Sequence, residues 1–141
     1  MKLANFDFRI WDKGEKTLTY ASKDWKLGIS FSNPQQDNGE VESVLHAYYD
    51  GEPMCPDDCE IELWSGFYDS KGIKIYENDI VCCYFAMNGL VIFENAMFYV
   101  LNQHSGEKKT LFEALHESQA EKEPFVVESN IHFEKDNECL V

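Results

Sequence analysis

The stretch SGFYDSKGIKIYENDIV, residues 65–81, decides the fold because it places two turn-forming groups around a short apolar segment. In DSKG, Asp69 can hydrogen-bond the backbone two residues further on and Gly72 can adopt a positive φ, which predicts a type I turn closed by glycine. The segment IKIY that follows predicts the return strand of a hairpin. In EN, Asn78 tolerates left-handed backbone geometry best after glycine, so we expect a second tight turn there.

The segments on either side predict strands that extend this hairpin into a meander. Upstream, EIELWSGFY alternates Ile61 and Leu63 with glutamates, which predicts one apolar face. Downstream, DIVCCYFAM is apolar almost throughout and predicts a central strand buried on both faces. Asn88–Gly89 is the dipeptide most typical of a two-residue hairpin turn. The segments LVIFEN and AMFYVL are expected to pair around a turn at Asn95.

The N-terminal part also has strand patterns. Phe6, Phe8 and Ile10 alternate with Asp7, Arg9 and Trp11, which predicts a strand with one buried face. Gly14 in DKGEK is expected to supply the turn, TLTYAS the antiparallel return strand, and LGISFS a further strand. NPQQDNG and DGEPMCPDDC have loop compositions. VESVLHAYY fits both helical and strand spacing, and we favour a strand.

One helix is predicted near residues 110–122. Thr110 can cap its first turn with Glu113 three residues later, Leu111, Phe112 and Leu115 form an apolar stripe, and Pro124 follows. FVVESNIHF then predicts a last strand. The expected fold is therefore mainly β (β-rich α+β), an antiparallel meander or small barrel-like sheet with one short helix. We expect a single domain over residues 1–141, because no repeat or linker divides the chain.

The charge balance restricts the partners. There are 26 acidic and 12 basic residues, a formal net charge of −14. Such a field repels phosphate, which disfavours direct nucleic-acid binding and adsorption to anionic lipid, and it suits a basic protein partner. No apolar run approaches the ~20 residues that span a membrane, and early charges interrupt any signal-peptide core. We therefore expect a cytoplasmic protein.

The cysteines predict no metal site. Their number, five, is odd, and in a reducing compartment they are expected to be free thiols. Cys55 and Cys59 could bind zinc with His46 or His132, but a structural zinc site usually has a second close ligand pair, which is missing here. Within one strand, the adjacent Cys82 and Cys83 would point to opposite faces. The remaining cysteine is Cys139.

No catalytic or cofactor-binding residue is predicted. The histidines lack a recognisable catalytic spacing, and no hydrolase, zinc-protease, phosphate-loop or dinucleotide motif occurs. The conspicuous polar and glycine positions of the opening stretch are better explained by turn chemistry than by a reaction, although a functional role stays open. These positions are Asp69, Gly72, Tyr76, Glu77 and Asp79.

The sequence resembles the YopX family of small phage and prophage proteins. Residues 8–13, FRIWDK, are similar to the family's FRAWDK, and residues 64–81, WSGFYDSKGIKIYENDIV, match YTGLKDKNGKEIYEGDIV without a gap. Residues 89–98, GLVIFENAMF, match a third element, and residues 126–140 loosely resemble the terminal VIGNIYENPEL. Asn78, Ala96 and Ser129 stand where the family has glycine. The resemblance implies phage or prophage origin and a β-rich fold, but no activity and no functional residues.

These observations lead to three hypotheses. The first is a non-enzymatic module that binds a host or phage protein through strand edges and exposed aromatic residues. An alternative is an acidic decoy that mimics nucleic acid and blocks a DNA-binding protein, although its acidic residues are spread along the chain. A further alternative is an enzyme with an unrecognised site. Self-association through a strand edge also stays open.

Overall fold

The computed structural model describes residues 1–32 and 44–133. The chain forms two compact units: the N-terminal unit, Asp7–Glu62, and the C-terminal unit, Met1–Phe6 with Leu63–Val141. Strands make up 49% of the described residues and helical turns 11%, with one α-helix, which confirms the predicted mainly β class. The single domain over residues 1–141 stays a prediction, since compact units can belong to one domain.

The strands and helices are numbered in chain order. A 3₁₀ turn at Leu3–Asn5 precedes them, and their bounds are β1 Phe8–Asp12, β2 Thr17–Tyr20, β3 Leu27–Ser32, β4 Val44–Tyr49, β5 Glu52–Pro53, β6 Cys59–Tyr68, β7 Lys74–Tyr76, β8 Asp79–Cys82, β9 Gly89–Glu94, β10 Met97–Asn102, β11 Lys108–Thr110, α1 Leu111–Ala120 and β12 Val126–Asn130.

The N-terminal unit begins with the predicted hairpin. β1 pairs antiparallel with β2, and Asp12 lies opposite Thr17. The carboxylate of Asp12 accepts hydrogen bonds from the backbone N–H groups of Gly14 and Glu15, at 2.9 and 3.1 Å. The positive φ of this loop, +54°, belongs to Lys16 and not to Gly14. The turn is therefore confirmed, but the role expected of its glycine is wrong, because the aspartate shapes the loop.

The same unit contains a three-stranded antiparallel sheet in the order β3-β4-β5. Its register places Leu27 opposite Tyr49 and Phe31 opposite Leu45. This confirms the strand predicted in LGISFS and, for Val44–Tyr49, the strand interpretation of VESVLHAYY. The predicted loop NPQQDNG lies outside the described residues, and DGEPMCPDDC contains the short strand β5.

Two predictions of a one-sided apolar strand are wrong in this unit. β1 is buried along both faces from Phe8 to Trp11, and in β6 Ile61 is 38% exposed while Glu62 is 1% exposed. The reason is an ion pair: the guanidinium Nε of Arg9 donates to Oε1 of Glu62 at 2.7 Å, and both side chains are 1% exposed. A buried carboxylate needs a charged or multiply hydrogen-bonding partner, and this partner lies 53 residues away.

The C-terminal unit contains a five-stranded antiparallel sheet in the order β11-β10-β9-β8-β12. β9 and β10 pair around Asn95, as expected. The second half of β6 pairs with β7, but the register shifts between Trp64 and Tyr68, where Gly66 has a φ of +88°. This bulge breaks the strand alternation. The return strand after DSKG is confirmed as β7.

The prediction of a long strand followed by a tight turn at Asn88–Gly89 is wrong. β8 ends at Cys82, and a loop over residues 83–88 includes paired backbone hydrogen bonds between Cys83 and Ala86. Gly89 lies in β9 without a positive φ. A β-carbon there would lie 2.7 Å from Cγ1 of Val100, so the glycine is required for close packing and not for a turn. Cys83, placed in the same strand as Cys82 by the prediction, lies in the loop.

The helix is confirmed, with one error in its apolar face. The Thr110 hydroxyl accepts a hydrogen bond from the Glu113 N–H at 3.1 Å, and α1 ends at Ala120 instead of residue 122. Leu111 is buried, but Phe112 is 56% exposed. The buried face of the helix is Leu111, Ala114 and Ser118.

The core of the C-terminal unit is apolar. It joins the central strands, the loop after β8, the helix and the residue before β12, and its buried members are Ile75, Val81, Cys83, Ala86, Val91, Val100, Leu111, Ala114 and Phe125.

Candidate functional site

The turn after β6 is fixed by its own aspartate. Oδ1 of Asp69 accepts hydrogen bonds from the backbone N–H groups of Lys71 and Ile73, at 2.8 and 2.9 Å. Oδ2 accepts from the Val127 N–H at 3.0 Å. Gly72 has a φ of +81°, as predicted, and its N–H donates to the Asp69 carbonyl at 3.1 Å. Asp69 is 7% exposed, and its carboxylate satisfies backbone donors.

Ser70 attaches this turn to the segment before β12. Its backbone N–H donates to the Phe125 carbonyl at 2.8 Å, and its hydroxyl accepts from the Phe125 N–H at 2.8 Å. Together with the bond from Val127, these contacts hold the turn against a segment more than 50 residues later. The turn is therefore a rigid wall and not a mobile tip.

The second turn of the motif forms a corner between β7 and β8. Oδ2 of Asp79 accepts a hydrogen bond from the Tyr76 N–H at 2.7 Å, and both residues are buried. Asn78 has the predicted positive φ, +70°, and its backbone bonds to Val91 and Ile131. Glu77 is half-buried, and its N–H donates to the Leu63 carbonyl. These hydrogen bonds give Asp79, Asn78 and Glu77 a structural role in the corner.

A cleft of about 600 Å³, here called the aromatic cleft, lies between the Asp69 turn, α1 and the segment before β12. The bulge at Gly66 allows the consecutive residues Phe67 and Tyr68 both to line it. Its other lining residues include two more aromatic rings, a leucine, a histidine and several polar side chains: Phe112, Phe125, Leu115, His116, Ser118, Gln119, Lys122 and Glu123.

The rings form a continuous row. The centroids of Phe67 and Phe112 are 6.3 Å apart at an interplanar angle of 52°, and Phe112 meets His116 edge-on at 4.2 Å. Tyr68 is 53% exposed and Phe112 is 56% exposed. Such large exposed aromatic residues on rigid elements are typical of binding anchors.

A second hollow, here called the apolar depression, adjoins the aromatic cleft. It encloses about 360 Å³ and shares Phe67 and Phe112 with the cleft, so these two rings form the wall between them. The other residues that line it are Ala96, Met97, Phe98, Thr110 and Leu111, none of them charged.

Among the described residues, the accessible charges of the aromatic cleft lie at its rim. Lys122 and Glu123 are exposed, and within the described parts of the chain neither forms an ion pair. On the same helix, Glu117 pairs with Lys109, and this hydrogen bond raises the pKa of the lysine. Asp69 also lines the cleft, but its carboxylate is occupied by backbone donors. The cleft thus has aromatic walls and one accessible carboxylate.

Cys55, Cys59, His46 and His132 are the candidate zinc ligands, all within the described residues, and the structure does not group three of them around a common point. His46 and Cys59 both line a small hollow of about 140 Å³ in the N-terminal unit, together with Ile10, Ile29 and Ile61, among others. Burial, and then the charges of Asp12 and neighbouring groups, raise the pKa of the Cys59 thiol. In residues 1–32 and 44–133, no group of three or more histidine, cysteine or acidic side chains is placed to hold a metal ion.

Burial disfavours the thiolate form of two further cysteines, Cys82 and Cys83. Cys55, Cys59, Cys82 and Cys83 are free, and Cys139 lies outside the described residues. Burial is the main cause that raises the pKa values of Cys82 and Cys83. A raised thiol pKa lowers the thiolate fraction at neutral pH, which is the opposite of what a nucleophilic cysteine requires.

Over the described residues, no helix is both long and apolar enough to cross a membrane.

Sequence reasoning missed the aromatic cleft because it assigned Phe112 to the core. The helix has two stripes: Leu111, Ala114 and Ser118 are buried, with Ser118 also bordering the cleft, while Phe112, His116 and Gln119 are exposed and line the cleft. The second stripe has helical spacing of four and three residues, which was visible in the sequence. What could not be seen was which stripe faces the sheet, since Ser118 is buried by accepting a hydrogen bond from the Tyr84 N–H at 3.1 Å.

Comparisons with known proteins support the fold. No family model matches the chain, and no curated protein matches it. Among solved structures, the crystal structure of protein EF1440 from Enterococcus faecalis is similar, with a TM-score of 0.55 and 16% sequence identity. The alignment covers 93% of this chain and 96% of that one. At this identity, the likeness shows a shared fold and nothing about activity.

Proposed function

We propose that this chain is a non-enzymatic protein-binding module of phage or prophage origin that acts in the cytoplasm on a host or phage protein. The aromatic cleft and the apolar depression are the surface that contacts the partner. The observation that carries this proposal is Phe112, a ring 56% exposed on a capped helix, with a hollow on each side. Exposed aromatic anchors beside hollows are typical of interface centres.

The rigidity of the walls supports binding. Phe112 lies in the first turn of a helix capped by Thr110, and the opposite wall is tied down through Asp69 and Ser70. Binding at such a surface costs the protein less conformational entropy than binding that must first order a loop. The hollows, about 600 and 360 Å³, fall in the size range of ligand sites, ~300–1,000 Å³.

The chemistry of the cleft favours binding over catalysis. The carboxylate of Asp69 is held by three backbone donors and is not available as a base. His116 contacts Phe112 at its ring edge, and none of the four cysteines that the structure describes lines the cleft. General acid–base catalysis needs a positioned pair of titratable groups or a nucleophile beside a base. The absence of an available carboxylate at Asp69 supports the binding proposal over the enzyme alternative.

Backbone geometry supports membership of the YopX family. At positions 78 and 96, where the family has glycine, this chain has Asn78 and Ala96 with φ values of +70° and +63°. Glycine is favoured in this region of φ, so the family's residues suit the local geometry. At the third departure, Ser129, the register of β12 against β8 shifts, and glycine is also common at such bulges.

Site-specific photocrosslinking tests the binding surface. A photoreactive phenylalanine analogue replaces Phe112 in one variant and Met87, which is 79% exposed and lines neither hollow, in a control variant. Both variants are incubated with lysate of the bacterium that carries the gene. We expect one discrete adduct from position 112, absent from position 87 and competed by excess unmodified protein but not by the Phe112→Ser variant.

Salt dependence separates this proposal from the decoy alternative. An apolar contact should survive ~0.5 M salt, because the Debye length then falls to a few ångströms and only exposed charge pairs are screened. Capture of a DNA-binding protein that is lost steeply with salt and is insensitive to Phe112→Ser would favour the decoy. Equal labelling from positions 87 and 112, or no adduct from either, would contradict the proposed surface.

A further inference from the structure

We infer that the partner presents a short segment with one large apolar side chain and one basic side chain, the first for the apolar depression and the second for the aromatic cleft. This inference rests on the proposed function and adds the chemistry of the partner. The two hollows share the rings of Phe67 and Phe112 as a wall, so side chains from one short segment can reach both.

The apolar depression suits an apolar guest. Its lining has no charged side chain, and its rim includes Met97, which is 47% exposed, beside Phe98 and Leu111. Methionine is flexible and polarisable, so it adapts to guests of different shape. A charged guest would lose hydration in this hollow without gaining a partner, whereas an apolar side chain would be stabilised by the burial of its surface.

The aromatic cleft suits a cation. Phe112 and Tyr68 expose ring surface, Glu123 supplies a carboxylate without an ion-pair partner among the described residues, and the C-terminal end of α1 carries partial negative charge. A cation over an aromatic ring and near a carboxylate is stabilised by both. Arginine is favoured over lysine because its guanidinium stacks on rings and binds a carboxylate through two N–H groups.

The same unit already uses this mode of contact. The Lys109 ammonium lies 5.0 Å from the ring centroid of Phe85, and the Lys108 ammonium lies 4.7 Å from that of Tyr99. Among the described residues that line the cleft, Lys122 carries the positive charge that opposes a basic guest, and its exposed, flexible side chain can move away from that guest. The net charge of −14 adds a long-range attraction for a basic segment.

Peptide selection tests this partner chemistry. The intact chain is the bait for a randomised linear peptide library, and the Phe112→Ser variant is used for counter-selection. We expect peptides that are lost with the variant to be enriched in arginine or lysine together with one leucine, methionine or aromatic residue. Phe112-dependent peptides that are neutral or acidic would overturn the inference and leave the binding module standing. If no peptide depends on Phe112, the inference fails, while crosslinking from position 112 decides separately whether the binding module stands.

A charge-reversal pair then tests the role assigned to Glu123. The selected peptide is titrated into Glu123→Lys and into Glu128→Lys, an equal change in net charge at an exposed position that lines neither hollow. We expect Glu123→Lys to weaken binding about tenfold or more, because Glu123 contacts the basic side chain of the peptide. Glu128→Lys should weaken binding about twofold or less, because Glu128 acts only through a field that salt screens. Equal weakening by both variants would overturn the assignment of the basic side chain to the cleft.

Discussion

Glu62 in the N-terminal unit and Asp69 in the C-terminal unit are both buried carboxylates, but different kinds of partner satisfy them. Glu62 meets the guanidinium of Arg9, 53 residues earlier in the chain. Asp69 meets the N–H groups of Lys71 and Ile73, two and four residues later, and one distant N–H, that of Val127. One burial depends on tertiary structure, and the other depends mainly on the chain's own turn.

This difference determines how each site should respond to mutation. An ion pair leaves a full uncompensated charge when one member is removed, whereas a capped turn leaves backbone donors that water can partly reach. The distant contact should therefore be more costly to break than the local one. The following substitutions compare distant and local constraints in order of expected effect.

Arg9→Met should give the largest loss of stability. It removes the partner of Glu62, which is 1% exposed, and breaking one side of a buried pair costs about 3–5 kcal/mol. The double variant Arg9→Met/Glu62→Leu should regain more than half of the loss, because neither charge of the pair is then left buried without the other. Urea unfolding followed by tryptophan fluorescence and far-UV circular dichroism would measure both. A single variant within about 1 kcal/mol of the parent would contradict the importance of the pair.

Asp69→Ala should be the next most destabilising change. It deprives three backbone N–H groups of a charged acceptor, and we expect a loss of about 2–3 kcal/mol in the free energy of unfolding. Asp69→Asn should lower the free energy of unfolding less than alanine does. Its amide oxygen can still accept either the two hydrogen bonds made to Oδ1 or the one made to Oδ2. Asp57→Ala, at an exposed aspartate, is the control and should stay within about 0.5 kcal/mol. Equal effects of the two alanine variants would show that the capping bonds contribute little.

The comparison also explains what the sequence could predict. The turn at Asp69 and Gly72, the left-handed Asn78 and the Thr110 cap all depend on residues within four positions of each other, and each is confirmed. The burial of Glu62 depends on Arg9, a distant partner that no local pattern indicates. Alternation alone therefore predicted the wrong buried face for the start of β6.

The errors in the C-terminal unit have the same cause. Asn88–Gly89 has the composition of a tight turn, but Val81 and Val100 of the neighbouring strands require a glycine at position 89 for space. Phe112 is apolar and is expected in the core, but the buried face of α1 includes Ser118 instead. The Ser118 hydroxyl accepts a hydrogen bond from the N–H of Tyr84, 34 residues earlier. The aromatic cleft could not be predicted because it follows from that choice of helix face.

Gly89→Ala tests a packing constraint set by neighbouring strands, at a position where the backbone conformation does not require glycine. The added β-carbon would lie 2.7 Å from Val100 Cγ1 and 3.1 Å from Val81 Cγ2, both on fully buried side chains. Overpacking of this kind costs about 1–3 kcal/mol. Gly28→Ala is the matched control: it also lies in a strand without a positive φ, and a β-carbon there has no neighbour within 4 Å. Similar urea midpoints for both variants would contradict the packing account.

Gly72→Val tests the opposite case, a conformational constraint without a steric one. A β-carbon at position 72 has no neighbour within 4 Å, but the residue has a φ of +81°. A β-branched side chain in this region is strained, so we expect a loss of about 1–2 kcal/mol in unfolding free energy. Gly72→Asn should be milder, and Lys71→Ala, at an exposed position of the same turn, should stay within about 0.5 kcal/mol. If valine is tolerated as well as asparagine, backbone strain does not limit this turn.

Ala96→Gly should have the smallest effect, and its sign should be reversed. Asn95 and Ala96 form a two-residue turn between the paired residues Glu94 and Met97, and both have positive φ, +52° and +63°. Alanine is strained there and glycine is not, while glycine adds entropy to the unfolded chain, so the net gain in stability should be about 0.5–1 kcal/mol. The matched control is Ala47→Gly in β4, where φ is not positive and glycine should destabilise by about 0.5–1 kcal/mol. Opposite shifts of the two urea midpoints would show that local backbone geometry alone sets the preference at position 96. Shifts in the same direction would mean that contacts of the Ala96 methyl group in the apolar depression outweigh its strain.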